Sequence, residues 1–419
     1  MQDRRRFLRS AAALGALPVL GHAARAPGPA ADFDALWRAI DEGYAYFEKG
    51  QDWRGARARW RPRAAAARSR DELLAALEGA LAELHDDGVG LDAHSPRSPR
   101  PVPAETDLCA EWDGADARIS AVRAGSVADV AGAVPGMQIA AIGSKPIEEA
   151  VRALLRRDRQ AEARARNWAL RRLVAGPWSG VLDLEVKSGG RTRRLAIERQ
   201  DIPHAGTPPL IARRIGEGRD LGYLRLKNNL GEAGLVQHFD AAMQHFRDTR
   251  GLIVDLRETQ GGGSPEVARA LLGRFATRET AWIRRVSRAR GAGSDTPAET
   301  IGPRGPFTHA GPVAVLVDAW TAGEGESLAV GLEVVAKATL VGTRMAGLRG
   351  DLREARLPGS GISVHFPSAR VYHPDGTPRE AVRPTLPVDL VAPSGGPGDP
   401  ILYQALKYLE ARLPVVPRR

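Results

Sequence analysis

The spacing of apolar side chains near the start of the chain predicts helices. Residues 69–84 ("SRDELLAALEGALAEL") follow a helical period after Ser69, a residue type that caps helix N-termini. Residues 31–49 show the same period, and we expect their apolar and aromatic side chains to be core positions: Phe33, Leu36, Trp37, Ile40, Tyr44 and Phe47. The pattern therefore predicts a small helical cap over residues 27–103.

Residues 104–200 change to the alternation that is typical of strands. The stretches "DLCAEWDG" and "ARISAVRAG" predict two paired strands, and "SVADVAGAV" predicts a short helix. A turn and a strand follow in "PGMQIAAIGSKPI". The stretch "SGVLDLEVKSGGRTRRLAIER" predicts a hairpin that turns at Gly189-Gly190. The sequence thus indicates a separate β domain.

Residues 201–419 alternate predicted strands with predicted helices. The helix at 264–275 has Ser264 as its N-cap and Pro265 at its first position. The apolar run at 250–258 has no alternation, which is typical of a strand buried in a parallel sheet. The other predicted elements are a strand at 221–229, a helix at 232–248, strands in "GPVAVLVDAW" and "ATLVGT", and a helix after residue 323. This order favours a parallel sheet with right-handed crossovers.

Length, composition and charge limit the class of protein. The chain has 419 residues, 43% of them hydrophobic, and can bury cores in two or three domains. Its net charge is +10, of which residues 1–26 supply five arginines and one aspartate, so that about +6 remains without them. The other arginines alternate with acidic residues and form no basic run, so we expect no nucleic-acid partner. The single cysteine, Cys109, excludes an intramolecular disulfide and is interpreted as a buried strand residue.

The first 26 residues resemble a bacterial twin-arginine export signal. Their start, Arg4 to Arg9, has the form R-R-x-F-L-R, and an apolar run then leads to the small-residue triplet Ala24-Arg25-Ala26. We expect the remaining chain to be periplasmic or secreted. Because no other stretch offers the ~20 apolar residues of a membrane-spanning helix, we expect no integral membrane segment after signal removal.

Two segments of the last region resemble the C-terminal-processing, or tail-specific, serine peptidases. The stretch "GLIVDLRETQGGG" is similar to their "G-l-i-l-D-L-R-x-N-x-G-G" signature, and "PVAVLVDAWTAGEGESLAVGLEVVAKATLVGT" is similar to their "T-A-S-A-x-E" segment. The ending "DPILYQALKYL" also resembles theirs. The likeness is nearer to the tricorn-core and retinoid-binding-protein branch than to the Ser/Lys branch.

This resemblance implies an α/β fold with a crotonase-like, ClpP-like β-α spiral core at residues 201–419. Residues 126–146 are similar to a circularly permuted bacterial PDZ domain, which implies a PDZ-like insert at 104–200 after the helical cap. A PDZ groove binds an extended peptide as an added strand, often by its C-terminal carboxylate. We therefore expect peptides or protein C-termini as partners and leave the oligomeric state open.

The catalytic positions that the family implies are both occupied by glycine. The nucleophilic serine of "T-A-S-A-x-E" falls on Gly323, and the histidine base of the tricorn branch falls on Gly88 within "LHDDGVGL". In the Ser/Lys branch the lysine falls on Leu348, and the neighbouring Arg349 stays protonated and cannot act as a base. The sequence thus predicts a degenerate peptidase site.

Other residues of the expected cleft remain candidates for binding or for substitute chemistry. We assign oxyanion or peptide-binding positions to Gly261, Gly262, Gly263, Glu324, Glu326 and Arg257. His85, His94 and Ser327 are the possible substitutes for the missing catalytic groups. The acids and histidines of "HDDGVGLDAH" fit no standard zinc spacing, so we predict no metal and no cofactor.

Three functions remain open from the sequence. The first is an exported, non-catalytic homologue of the peptidases that binds peptide tails. The second is an active serine-type endopeptidase that uses relocated residues. The third is a small-molecule or metal-binding protein on the same scaffold, as the retinoid-binding relatives imply.

Overall fold

The fold is taken from a computed structural model, which describes residues 27–48, 51–198, 208–227, 230–288, 296–391 and 398–413. Within these residues it is a mixed α/β fold of ten helices and three sheets. None of the described helices combines the length and apolar character that a membrane crossing requires. The predicted export signal at 1–26 lies outside the described residues.

Three helices open the described chain: α1 (Pro29–Gly43), α2 (Trp53–Ala65) and α3 (Arg70–Ala82). The predicted N-cap of α3 is confirmed, since the Ser69 hydroxyl accepts the Glu72 N–H at 3.2 Å. The helical period in α1 is confirmed too, with Phe33, Leu36 and Ile40 fully buried. The sequence did not predict α2, because its many arginines and Pro62 interrupt the apolar pattern.

The middle sheet is antiparallel and has the strand order β2-β3-β4-β6-β7, with β5 paired to β4. The two paired strands, the short helix and the hairpin that the alternation predicts are confirmed. Two longer helices, α5 and α6, were not predicted. The elements are β2 (Leu108–Asp113), β3 (Asp116–Val122), α4 (Val127–Val130), β4 (Gln138–Ile142), β5 (Lys145–Pro146), α5 (Ile147–Leu154), α6 (Ala163–Ala175), β6 (Val181–Ser188) and β7 (Arg191–Glu198).

A six-stranded sheet of order β17-β14-β13-β10-β9-β8 forms the centre of the second half of the chain. Five of its strands are parallel, as predicted, and β8 is an antiparallel edge. The elements are β8 (Leu210–Ile215), β9 (Leu221–Lys227), α7 (Gly234–His245), β10 (Gly251–Glu258), α8 (Pro265–Leu272), β13 (Val313–Val317), α9 (Glu324–Val335), β14 (Thr339–Gly342), β17 (Leu386–Pro387) and α10 (Pro400–Glu410).

A third sheet, of order β1-β16-β11-β12 with β15 paired to β16, joins the two ends of the chain. Its β16 contributes Val364 and Phe366 to the same core cluster as the first helices. The helical segment therefore completes its core with residues from the last third of the sequence. The strands are β1 (Gly90–Leu91), β11 (Thr280–Ser287), β12 (Glu299–Ile301), β15 (Asp351–Arg356) and β16 (Ser363–Tyr372).

The middle sheet meets the six-stranded sheet at Trp320, just after β13. The Trp320 indole is buried, donates to the Thr106 carbonyl at 3.0 Å and packs against Cys109 and Ala121. Cys109 is a free, buried thiol in β2, as the sequence predicted. The contact fixes the start of the middle sheet beside the loop that carries residues 321–323.

A buried ion-pair cluster fastens β10 to the last helix. The Arg257 guanidinium donates to both carboxylate oxygens of Asp255 and, in parallel, to those of Asp399, the N-cap of α10. The Tyr223 hydroxyl adds a bond to Asp255 at 2.7 Å. Because Asp255 is fully buried, its charge depends on the guanidinium for compensation.

We predict that Arg257→Met lowers the free energy of unfolding by about 3–5 kcal/mol, because it leaves the Asp255 carboxylate buried without its counter-charge. Arg225→Met is the matched control, since Arg225 pairs with Glu258 where both are about one-third exposed, and we expect a loss of at most about 1 kcal/mol. Urea unfolding followed by circular dichroism measures both. Equal losses in the two variants would contradict the structural role of Arg257.

Candidate functional site

The turn between β13 and α9 has the backbone of a nucleophile turn but no nucleophile. Gly323 is the N-cap of α9 and has φ 57° and ψ −118°, a conformation that side-chain-bearing residues adopt only under strain. The end of β10 holds the turn: the Ala322 N–H donates to the Thr259 carbonyl at 2.8 Å, and the Thr321 hydroxyl donates to the Leu256 carbonyl at 3.1 Å. The conformation of the turn is thus held by the end of β10, and glycine adopts it without strain.

The space above Gly323 is open to a small side chain. A Cβ atom built on it would lie 3.4 Å from the Gly262 nitrogen and 3.5 Å from the Gly261 Cα. The structure therefore brings the predicted glycine loop, Gly261 to Gly263, against the turn. All three glycines have positive φ, which side-chain-bearing residues rarely adopt.

The backbone donor expected for an oxyanion is engaged within the protein. The Glu324 N–H forms a long hydrogen bond of 3.4 Å to the Gly262 carbonyl oxygen. A carbonyl group thus faces the position where an oxyanion hole requires an N–H group. In this arrangement the site offers poor stabilisation to a tetrahedral intermediate.

Glu326 ties the turn to the segment that follows β14. Its fully buried carboxylate accepts the N–H groups of Gly323 at 3.0 Å, Gly347 at 2.9 Å and Leu348 at 3.2 Å. Burial raises the pKa of Glu326 to about 7, while the nearby Arg379 opposes that rise. The side chain that we assigned to binding therefore holds the site's backbone together.

Glu324 places a second buried carboxyl group beside the turn. It is 7% exposed, and among the described residues its Oε1 atom has no hydrogen-bond partner. The nearest cation is Arg285, whose Nη2 lies 3.8 Å from Oε1 and which also pairs with Glu299 and Asp351. Burial raises the pKa of Glu324 to about 7, and Asp351 adds to that rise. A negative charge here disfavours a developing oxyanion.

Ser327, one of the possible substitute nucleophiles, is fully buried one turn into α9. Its hydroxyl accepts a hydrogen bond of 2.8 Å from Arg379, which also donates to the carbonyls of Leu348 and Gly350. A guanidinium does not remove a proton from a hydroxyl, because it stays protonated. The contact makes Ser327 part of a buried polar network.

The second degenerate position, Gly88, lies across the segment 347–349 from the turn. Its N–H donates to Asp86 Oδ1 at 2.9 Å, and a Cβ atom on it would lie 3.2 Å from Pro367 Cγ and 3.6 Å from the Arg349 carbonyl oxygen. Leu348, next in the chain to Arg349, bonds to Glu326. The segment 347–349 thus lies next to Gly88 and, through Glu326, is joined to the turn at Gly323.

Each of the two histidines near Gly88 packs against a tryptophan ring. The His85 ring packs 5.0 Å from Trp168 of α6, and burial lowers the pKa of His85 to about 4. The His94 ring stacks on Trp178 at 3.8 Å. These aromatic contacts account for both rings without a catalytic role.

Sequence reasoning missed three polar residues of the cleft: Tyr46, Arg379 and Glu380. The Tyr46 hydroxyl and Glu380 Oε2 are buried and, among the described residues, make no hydrogen bond. The Arg349 guanidinium lies 5.0 Å above the Tyr46 ring. No local motif marks these residues, because more than 300 positions separate Tyr46 from the others. Across the described ranges, no group of three or more His, Cys, Asp or Glu residues is arranged to hold a metal ion.

We predict that Glu324→Gln changes how stability depends on pH. The pKa of Glu324 is raised to about 7 in the folded chain and is near 4.5 in the unfolded chain, so between these values the folded chain binds the proton more tightly. The folded state is therefore most stable below pH ~4.5, and its free energy of unfolding falls as the pH rises through about 7. Glutamine cannot ionise. The variant should therefore gain about 2–3 kcal/mol relative to wild type between pH 4.5 and pH 8.

Urea unfolding at a series of pH values measures this difference, and Glu149→Gln, on the exposed face of α5, is the control that should follow wild type. A constant difference between Glu324→Gln and wild type across the series would show that Glu324 does not titrate in this range.

Comparison with known proteins gives two family matches. Residues 220–388 match the family model described as Peptidase family S41, and residues 29–82 match the Tricorn protease C1 domain. No curated protein shows significant similarity to the chain.

Solved structures share the fold over nearly the whole chain. The photosystem II D1 C-terminal processing protease has a TM-score of 0.55 and 20% identity, covering 91% of this chain and 97% of its own. Mature CPAF has a TM-score of 0.58 and 16% identity, with coverage of 91% and 95%. A lipoprotein from Streptococcus agalactiae has a TM-score of 0.52 and 13% identity, with coverage of 94% and 100%. Through residues 220–388, the chain is therefore related to peptidase family S41, the family of the tail-specific peptidases.

Proposed function

We propose that the chain is an exported, catalytically degenerate member of this family that binds peptides or the tails of proteins. One observation carries the proposal: Gly323 has the backbone conformation of a nucleophile turn, at the start of α9, with no side chain to attack a carbonyl. A turn that keeps this conformation without its nucleophile fits a site retained for recognition.

The remaining catalytic parts also argue against hydrolysis. The Glu324 N–H is engaged by the Gly262 carbonyl, and the position of the base is Gly88. Active hydrolysis through relocated groups requires a base beside a nucleophile. Ser327 is bonded to a guanidinium, and the rings of His85 and His94 pack on tryptophans. None of the three candidates therefore forms a nucleophile and base pair in this structure.

For recognition we propose a PDZ-like role for residues 104–200, inserted between a helical cap at 27–103 and a crotonase-like, ClpP-like core at 201–419. β2 is the edge strand of the middle sheet, and α6 packs beside it. The Trp112 indole of β2 donates to the Arg166 carbonyl of α6 and holds the two together. An edge strand flanked by a helix suits the addition of a peptide strand.

The class of ligand follows from a relative. One protein of the same fold is named a C-terminal processing protease, so its ligand is the C-terminal part of a protein. We propose the same class for this chain, with the carboxylate of an apolar C-terminus as the recognised group.

We predict that the purified chain without residues 1–26 binds unstructured peptides with free apolar C-termini and does not cut them. Fluorescence anisotropy measures binding, and mass spectrometry of the incubated peptides measures cleavage. Amidation of the C-terminus should weaken binding by about tenfold, because it removes the charge-assisted hydrogen bonds to the carboxylate. Equal binding of the acid and the amide would contradict tail recognition.

Restoring the two missing side chains tests the lost chemistry. Gly323→Ser with Gly88→His should cut the same peptides slowly, because the space above Gly323 admits a side chain. Gly323→Ala with Gly88→His is the matched control, since it carries the same backbone strain, of order 1–3 kcal/mol, without a hydroxyl. Wild-type cleavage that survives repurification would contradict the degenerate site.

We also propose export by the twin-arginine route, on the strength of the segment from Arg4 to Arg9. In a bacterial host with this pathway, the protein should appear in the periplasmic fraction. Replacing Arg4 and Arg5 by lysine should retain it in the cytoplasm, whereas the control Arg25→Lys should not. Periplasmic recovery of the double-lysine variant would contradict this route.

A further inference from the structure

A cavity of about 340 Å³ lies between the first helices, the start of the middle sheet and β16. This volume is within the ~300–1,000 Å³ range of small-molecule sites. Its apolar wall includes the indoles of Trp168 and Trp178, together with Leu81 and Val89. The cavity lining includes no residue of β2, the edge strand proposed for peptides.

Most charged groups of the cavity wall already have partners. Asp86 accepts the Tyr44 hydroxyl at 2.7 Å, Asp87 pairs with Arg171 at 2.6 Å, and Asp92 accepts the Ser363 N–H at 2.8 Å. These contacts fix the loop that follows α3. Two charged side chains of the wall remain to be considered, Glu78 of α3 and Arg172 of α6.

Glu78 and Arg172 are short of counter-charge. Within the described part of the chain, neither forms an ion pair, and the only hydrogen bond of the Glu78 side chain is to Ser98. The Arg172 guanidinium lies 5.6 Å from the Trp168 ring. Burial raises the pKa of Glu78 and lowers the pKa of Arg172. The attraction between the two charges, and that between Arg172 and Asp87, offsets this effect of burial only in part, because none of these groups forms a close ion pair with Glu78 or Arg172.

The two charges have opposite sign and open into one aromatic cavity. We propose that this cavity binds a small zwitterion of the α-amino-acid class, with Arg172 receiving the carboxylate, Glu78 receiving the ammonium group and the tryptophan walls receiving an apolar side chain. A guanidinium binds a carboxylate through two parallel hydrogen bonds, and a carboxylate accepts from an ammonium group. Indole faces suit an aromatic or branched side chain.

A ligand in this cavity would contact the helices at the start of the chain, the middle region and the third sheet. The lining includes Asp86, Asp87, Val89 and Gly90, which flank Gly88, as well as residues of α6 and His365 of β16. A ligand that touches these parts at once binds only the folded chain, and so it stabilises them together by mass action. The proposal does not depend on peptide binding at the edge strand.

Three ligands that share one ring separate the two charges: L-phenylalanine, 3-phenylpropionate, which lacks the ammonium group, and phenethylamine, which lacks the carboxylate. Isothermal titration of the purified chain without residues 1–26 should show saturable binding of phenylalanine. Each analogue should bind at least about tenfold more weakly, because it leaves one buried charge unpaired. L-Leucine and L-tryptophan test the side-chain preference.

Two variants test the two charged side chains of the cavity separately. Arg172→Met should weaken phenylalanine about tenfold or more and leave phenethylamine unchanged, whereas Glu78→Gln should weaken phenylalanine and leave 3-phenylpropionate unchanged. Arg54→Met and Glu149→Gln, both exposed, are the matched controls and should bind as wild type does. Thermal unfolding without ligand checks that each variant folds.

If a variant does not fold, titration of the wild-type chain with the amino acids and the two analogues still decides the question. Absence of saturable binding for all three amino acids at millimolar concentration would overturn it. Equal affinity for phenylalanine and either analogue would also overturn it, as would equal losses for Arg172→Met and Arg54→Met.

Discussion

The hydrogen bonds of one buried carboxylate set the geometry of the cleft. Glu326 accepts three backbone N–H groups, one from the turn at Gly323 and two from Gly347 and Leu348. Because the carboxylate is fully buried, its desolvation cost is offset only while these donors stay in place. The turn, the start of α9 and the segment after β14 are therefore held as one unit, and Arg379 supports that unit through its bonds to Leu348 and Gly350.

This unit keeps the conformation of a nucleophile turn in place although Gly323 has no side chain. The conformation at Gly323 is held by hydrogen bonds to β10 and to Glu326, and it does not require a side chain at position 323. The two acids of the first helical turn then differ in role. Glu326 organises the backbone, whereas Glu324 adds a weakly compensated carboxyl group next to the glycine loop. The surroundings of Gly323 therefore have little means to stabilise a new negative charge.

Local sequence patterns predicted the structural features that depend only on residues close together in the chain. The N-caps at Ser69 and Ser264, the buried strand β10 and the strand-turn-helix at Gly323 all follow from short stretches of sequence. The third sheet did not, because β1 and β16 are about 270 positions apart and each depends on the other for its pairing. The helix α6 was missed because its arginines, which reach Asp87, Glu48 and Glu148 in the fold, hide its apolar face in the sequence. The Tyr46 hydroxyl and Glu380 Oε2 were missed as well, because their burial without a hydrogen-bond partner among the described residues depends on the fold and not on the local sequence.

The central claim is that the cleft has no activated nucleophile, and covalent labelling tests it most directly. The purified chain would be incubated with a fluorophosphonate, a reagent that phosphonylates activated serine hydroxyls with loss of fluoride, and its intact mass would be measured. The account predicts that wild type gains no mass, because Ser327 is bonded to Arg379 and Gly323 has no side chain. A stoichiometric adduct that peptide mapping places on Ser327, or on another residue of the cleft, would contradict it.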